Sequence, residues 1–471
     1  MKVRLVSFLM VGLPALMPAA VDRSKPPEPG PPPEAAFPSY VTRDLANGLK
    51  VFVIEDDRKP EVTFRLVIKA GSMLDGDKPG LARFTAELLN RGTTRRDAGT
   101  FAREADSIGV FVEAGAAEDA ISAGAGGLTK YTGAILDLLT DAVLHPLFAE
   151  EEFTKLQRRT LSRLEAEKQD PDALGGKMTG KVVYGEHPYA AYVTEESVAA
   201  MARQDVADFH SRWFVPNNAT LAVVGDVQAQ EILEQVENAF EAWKPGDVPQ
   251  IKFPGVPALS GRSIHLVDRP GSVQSNVTVC RPGPARRDPN LPGLNVLNAV
   301  LGGGFSGRLF ANLRETHGYT YGAYSNFGMN RHGGSFLAEA AVRNEVTVPA
   351  IREILAEIQR VRDELIPPGE LDLQRQYLVG NYLLSLENPG RTAQRVQDVD
   401  LYGLDPDFYK VYAQRLASAS AIKLQELARE HLSVEDLAIV VVGEAKEVKE
   451  ELETLGPVTV YDTNLRVKTA E

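Results

Sequence analysis

Val223-Val224-Gly225-Asp226 recurs as Val441-Val442-Gly443-Glu444, 218 residues further along the chain. Each copy closes a continuous apolar run, Thr220 to Val224 and Leu437 to Val442, of the kind that forms a buried strand. Outward from these runs the same spacing relates Tyr184-Gly185 to Tyr402-Gly403 and Asp170-Pro171 to Asn388-Pro389. Pro79-Gly80-Leu81 returns as Pro292-Gly293-Leu294, at an offset of 213. Separated matches in one order and at nearly one spacing are hard to obtain by chance. The chain therefore reads as two diverged copies of one unit in tandem.

Each unit opens with a strand, Leu49 to Ile54 or Ile264 to Val267, followed by a second, Val62 to Ala70 or Val273 to Cys280. Several amphipathic helices follow, and the buried strand comes last. Helices on one face of a mostly antiparallel sheet fit this order better than a regular βαβ alternation, so the predicted class is α+β, as two homologous α/β sandwich halves. Between them, residues 244–262 hold Pro245, Gly246, Pro249, Pro254, Gly255, Pro257 and Gly261 and read as a linker. The expected organisation is a signal segment over 1–20, a proline-rich tether over 21–39, halves over 40–243 and 263–460, and a tail over 461–471.

The length of 471 residues exceeds what one hydrophobic core usually serves. A formal charge of -13, from 51 basic and 64 acidic residues, argues against a nucleic-acid surface, which needs clustered Lys and Arg. Lys2 and Arg4 precede sixteen uncharged residues, Leu5 to Ala20, with Ala19 and Ala20 at the end. That is the pattern of an export signal. Gly12 and Pro14 interrupt the run, which is short beside the roughly 20 residues of a bilayer span, so no permanent membrane span is expected. In a Gram-negative source the protein would be periplasmic. Cys280 is the only cysteine, which excludes an intramolecular disulfide and a cysteine metal cluster.

Pro79 opens a predicted helix that runs to about Asn90 before Gly92, with Leu81, Phe84, Leu88 and Leu89 as its apolar stripe. Arg83, Ala86, Glu87 and Asn90 share another face through their three-and-four spacing. The segment from Gly80 to Thr93 resembles the pitrilysin/insulinase family of zinc metallopeptidases, in the flanking Gly-Leu-Ala, the Phe and the closing Gly-Thr. In that family the segment carries an inverted zinc motif, His-x-x-Glu-His. Carried onto this chain, the first zinc His is Arg83, the general-base Glu is Ala86 and the second zinc His is Glu87. A guanidinium offers no lone pair to a metal, and Ala86 cannot take a proton from water. An ion pair from Arg83 to Glu87 is the expected replacement. The family's third ligand, a Glu on the helix before Asp170-Pro171, would fall near Arg163, Leu164 or Glu165. The seven histidines (His145, His187, His210, His265, His317, His332, His431) are dispersed, and none pairs with another at metal-ligand helical spacing.

The second half keeps more of the resemblance. From Ala311 to Ser325 it reads Ala-Asn-Leu-Arg-Glu-Thr-His-Gly-Tyr-Thr-Tyr-Gly-Ala-Tyr-Ser. Arg314 and Tyr321 match the family's Leu-Arg-Glu and Gly-x-x-Tyr, seven apart. The residues themselves predict a helix from about Gly307 to Glu315, a stop at Gly318 and a strand from Tyr319. Both side chains could then enter one cleft. A helix-capping Arg314 and a sheet-packed Tyr321 form the alternative. In the resembling enzymes the pair lies across from the zinc and donates hydrogen bonds to the substrate backbone or the oxyanion, a contribution on the order of 3 kcal/mol. The run from Gly302 to Gly307 formally contains GxGxxG, but it follows a helical segment and lacks a later acidic partner, so a dinucleotide site is not expected. Gly302, Gly303 and Gly304 could instead admit a peptide backbone, or simply turn the chain.

The resemblance covers Tyr40 to about Val460 and implies the family's two-half clamshell, joined by the linker. It implies a non-catalytic subunit of a two-subunit peptidase, with no cofactor of its own, that binds peptide and supplies Arg314 and Tyr321 to a homologous zinc-bearing partner. Alone, such a chain should not hydrolyse peptides. The alternative is a peptidase-derived scaffold or assembly protein with no role in proteolysis.

Overall fold

The computed structural model describes residues 37–468; the expected signal segment and residues 21–36 of the proline-rich stretch lie outside the described residues. The first half builds a six-stranded sheet from β1 (Val41–Asp44), β2 (Lys50–Glu55), β3 (Glu61–Ile68), β4 (Phe111–Ala116), β5 (Ile121–Leu128) and β6 (Ala219–Gly225), in the order β1-β2-β6-β3-β5-β4. The second half builds another from β7 (Arg262–Asp268), β8 (Gln274–Gly283), β9 (Ala323–Met329), β10 (Gly334–Arg343), β11 (Leu437–Gly443) and β12 (Val458–Tyr461), in the order β12-β7-β11-β8-β10-β9. Without the outer strands β1 and β12 the two orders are the same. In each, the last core strand runs parallel to the first and antiparallel to the second. Only the sixth place differs: β1 fills it antiparallel, β12 parallel.

The repeated dipeptides mark equivalent joints. Asp170 and Asn388 are N-caps, accepting hydrogen bonds from the N–H groups of Asp172 at 2.9 Å and Arg391 at 3.0 Å. The following prolines occupy the first helical position, where no N–H is needed. Both helices, Pro171–Tyr184 and Pro389–Tyr402, have 14 residues, and Gly185 and Gly403 end them at positive φ. Gly225 and Gly443 close the buried strands β6 and β11. A Cβ on Gly225 would lie 2.1 Å from the Glu61 carbonyl oxygen, so glycine is the residue that lets β3 pass there. The acid ending β2, Glu55, accepts the Ala229 N–H at the start of the next helix, and Asp268 at the end of β7 does the same for Ala445.

The expected sheets with helices on one face are present, and each has a second cover. Pro171–Tyr184, from the first half, lies on the second half's sheet: Leu174, Met178 and Val183 pack with Val267, Cys280, Val440 and Val442. Pro389–Tyr402, from the second half, lies on the first half's sheet against β3 and β6. The physical reason is in the strands. All seven residues of β6 and of β11 are buried, and a strand without a polar alternation needs cover on both faces. At this seam Gln397 Nε2 donates to the carbonyls of Arg65, at 2.9 Å, and Thr220, at 3.0 Å, while Arg65 Nη1 donates to Gln397 Oε1 at 2.7 Å. Lys50 and Lys69 both pair with Asp400.

The connection between the halves, residues 244–261, contains neither helix nor strand. Phe37, the first described residue, is buried and stacks on Tyr409 of the second half. Beyond β12 the chain turns back so that Leu465 is buried against the second sheet's cluster. Among the described residues no helix is long and apolar enough to cross a membrane.

Candidate functional site

The helix equivalent to the family's metal-binding helix spans Leu81–Leu88, a little shorter than predicted. Gly80 at its N-cap has no side chain to accept the opening N–H groups. Buried Asp75 does so from the preceding loop, taking the N–H of Gly80 and of Ala82, each at 2.7 Å. At the other end Asn90 Nδ2 donates to the Val112 carbonyl at 2.8 Å, fastening the helix to β4, the outer strand of its sheet.

Arg83 Nε donates to Glu87 Oε1 at 2.7 Å, the expected i to i+4 pair. The other carboxylate oxygen accepts from Arg159 at 2.5 Å, on the helix Glu150–Glu167. Burial alone would raise the Glu87 pKa; the hydrogen bonds and charges of Arg83 and Arg159 outweigh it and hold the carboxyl below its ordinary range. Ala86 is buried in the core. Of the three positions considered for a third ligand, Leu164 is buried and Glu165 points outward to Lys168. Arg163 lies 3.4 Å from Glu167 and within electrostatic reach of Glu87, with burial and the charges of Arg83 and Arg159 lowering its pKa. Two guanidinium groups therefore hold the Glu87 carboxylate, with Arg163 nearby and paired to Glu167, where the resemblance would place zinc, and this donor set does not fit the metal. Among the described residues no group of three or more His, Cys, Asp or Glu side chains could hold a metal ion. His187 and His332 do meet across the halves, rings 6.2 Å apart, beside Tyr189 and Phe253.

In the second half the predicted helix appears as a single α-turn, Arg308–Phe310, continued by a π-helix, Ala311–Thr316. Gly318 reverses the chain at φ 63°. The strand starts at Ala323 rather than at Tyr319, because Thr320 Oγ1 bonds the carbonyls of Gly322 and Ala341 and holds the segment as a turn. Arg314 and Tyr321 come together there: Arg314 Nη1 donates to the Tyr321 carbonyl at 2.9 Å, and its guanidinium lies 4.9 Å from the Phe310 ring centre. The Tyr321 ring does not pack in the sheet but stands 86% exposed.

Phe305, 73% exposed, leans edge-on against Phe310 and Tyr324, so an aromatic surface borders Arg314. Sequence reasoning missed this surface, since Phe310 and Tyr324 lie on different elements. Gly302 and Gly303 have local reasons to be glycine: a Cβ on Gly302 would come 2.6 Å from the Ser325 nitrogen, and one on Gly303 2.9 Å from the Ala299 Cα. Gly304 borders open space. No hydrogen bond, ion pair or ring contact among the described residues joins this surface to Arg83 and Glu87.

Comparison with known proteins matches two successive stretches of the chain to one family. The family description "Insulinase (Peptidase family M16)" matches residues 50–192, and "Peptidase M16 inactive domain" matches residues 200–378. The chain belongs to the M16 peptidase family. Among M16 relatives, an "uncharacterized zinc protease" of Mycobacterium leprae is 28% identical over 333 residues, covering 69% of this chain and 74% of that protein. A "non-peptidase homolog" of Helicobacter pylori is 23% identical, covering 87% and 96%. A solved "peptidase M16 inactive domain" from Pseudomonas fluorescens superposes with a TM-score of 0.81 at 25% identity, over 86% of this chain and 98% of that one. A Helicobacter pylori protease structure gives the same TM-score at 22% identity, over 86% and 99%, and supports the fold. Within the M16 family this chain is thus peptidase-like in fold.

Proposed function

We propose that this chain is the non-catalytic subunit of a heteromeric M16 peptidase, presenting Arg314 and Tyr321 to a peptide bound at the zinc of a homologous partner subunit. The observation that carries this reading is the contrast between the halves. The helix that would hold the metal carries an ion-pair network instead, while Arg314 and Tyr321 remain side by side on an exposed surface, the Tyr321 ring 86% exposed. A guanidinium and a phenol are the donors suited to a peptide carbonyl or the oxyanion formed when water attacks it. The Phe305–Phe310–Tyr324 surface would receive apolar side chains of an extended peptide, and the outer strands β4 and β9 offer edges for backbone pairing. The signal-like N-terminus supports an exported protein, periplasmic in a Gram-negative source. A Helicobacter pylori relative named a non-peptidase homolog supports this reading.

The test is the native complex, isolated with its partner and assayed for peptide turnover after Arg314→Ala and Tyr321→Phe. A drop of about a hundredfold with intact assembly is expected; unchanged turnover would favour a scaffold role.

A further inference from the structure

The cluster that replaces the metal site carries more positive charge than its own carboxylates neutralise. Arg83, Arg159, Arg163 and Lys177 face Glu87 and Glu167: Glu87 takes Arg83 and Arg159, while Glu167 lies 2.8 Å from Lys177 and 3.4 Å from Arg163. Arg163 Nε is buried, and at 3.4 Å from Glu167 it makes an ion pair without forming a hydrogen bond. Among the described residues Arg83 donates through Nε alone, leaving its terminal nitrogens without a hydrogen bond. An under-neutralised arginine cluster on a chain of net charge -13 repels cations and retains anions. Guanidinium groups in a fixed array match the planar, two-oxygen geometry of a carboxylate, and Glu87 already sits between two of them in that manner.

Location narrows the ligand. The Leu81–Leu88 helix is packed on β4 and fastened to it by Asn90, and β4 is the free edge of its sheet. An extended peptide pairing with that edge would lie beside the helix that carries Arg83 and Glu87. We infer that the former metal site is a carboxylate-recognition site, in which Arg83 and Arg163 bind the acidic group of an extended peptide lying along β4. The inference rests on the reading that this chain holds peptides, but it assigns them a second anchor, independent of Arg314 and Tyr321. The acidic group has two sources, the C-terminal carboxylate or an Asp or Glu side chain.

The experiment uses the full chain and three fluorescein-labelled, Ala/Ser-rich ten-residue peptides: one with a free C-terminus, its C-terminal amide, and an amide with one internal Glu. Anisotropy titration should show at least tenfold tighter binding of one acidic peptide than of the neutral amide, and which one identifies the source. Arg83→Gln and Arg163→Gln should each abolish the preference. Glu87→Gln, which removes the competing internal carboxylate, should strengthen it several-fold, an outcome that a purely structural ion pair would not produce. Equal binding of all three peptides, or a preference untouched by these substitutions, overturns the inference. Arg314→Ala should leave the preference intact, so failure here and failure of the complementation reading are separate results.

Discussion

Gln397 and Arg65, one from each half, bond each other twice: Arg65 Nη1 donates to the Gln397 side-chain oxygen at 2.7 Å, and Gln397 Nε2 returns a bond to the Arg65 carbonyl at 2.9 Å. Gln397 is almost wholly buried, and burial lowers the Arg65 pKa. Gln397→Leu keeps the volume but strands the guanidinium. A loss of about 3 kcal/mol is expected, read as a lower urea midpoint with the cooperativity unchanged.

Arg314→Ala and Tyr321→Phe should behave in the opposite way. Both side chains are exposed, so each substitution should change unfolding free energy by no more than about 0.5 kcal/mol in the isolated chain. Thermal melts that fall by many degrees would show that the pair serves the fold rather than a ligand.

Histidine 210 supplies a pH dependence. It is half-buried between Phe148 and Phe214, and its Nε2 lies 2.8 Å from the Val143 carbonyl. Burial pulls its pKa down to about 4 from an ordinary value of 6.5. The folded state thus favours the neutral ring. Its contribution is fully present above pH 6.5 and is lost as pH falls toward 4, by about 3 kcal/mol over that window. His210→Phe should start less stable at pH 7, through the lost bond to Val143, and show a flatter decline between pH 6.5 and 4 by chemical denaturation.

Restoring histidines alone should not restore a metal site. In an Arg83→His, Glu87→His double variant, Arg159 and Arg163 remain beside the helix and no third donor is supplied. Stoichiometric zinc should therefore be absent after dialysis against a weak chelator, as measured by elemental analysis. Retention of one zinc per chain would show that the neighbouring arginines can swing away at little cost.

Much of the fold was legible because the repeated residues sit at joints with strict chemistry. Asp170-Pro171 and Asn388-Pro389 start equivalent helices, Gly185 and Gly403 end them, and Gly225 and Gly443 close equivalent strands. The exchange of covering helices was not read, although the unbroken apolar runs of β6 and β11 carried the signal that both faces are covered. At the site, the Arg83–Glu87 pair followed from i to i+4 spacing. Arg159 did not, because it reaches Glu87 from another helix, and pairing across 72 residues leaves no local pattern. The late start of β9 came from the Thr320 side chain capturing two carbonyls, a competition that strand propensity does not reveal.

The crossing of the Pro171–Tyr184 and Pro389–Tyr402 helices bears on how such a chain could have arisen and how it can be cut. A single unit standing alone would have one bare apolar sheet face and one helix to lend, a combination that a second copy satisfies, as in an obligate twofold pair. Severing residues 244–261 should accordingly yield two fragments that are insoluble apart and that regain a folded particle when synthesised together.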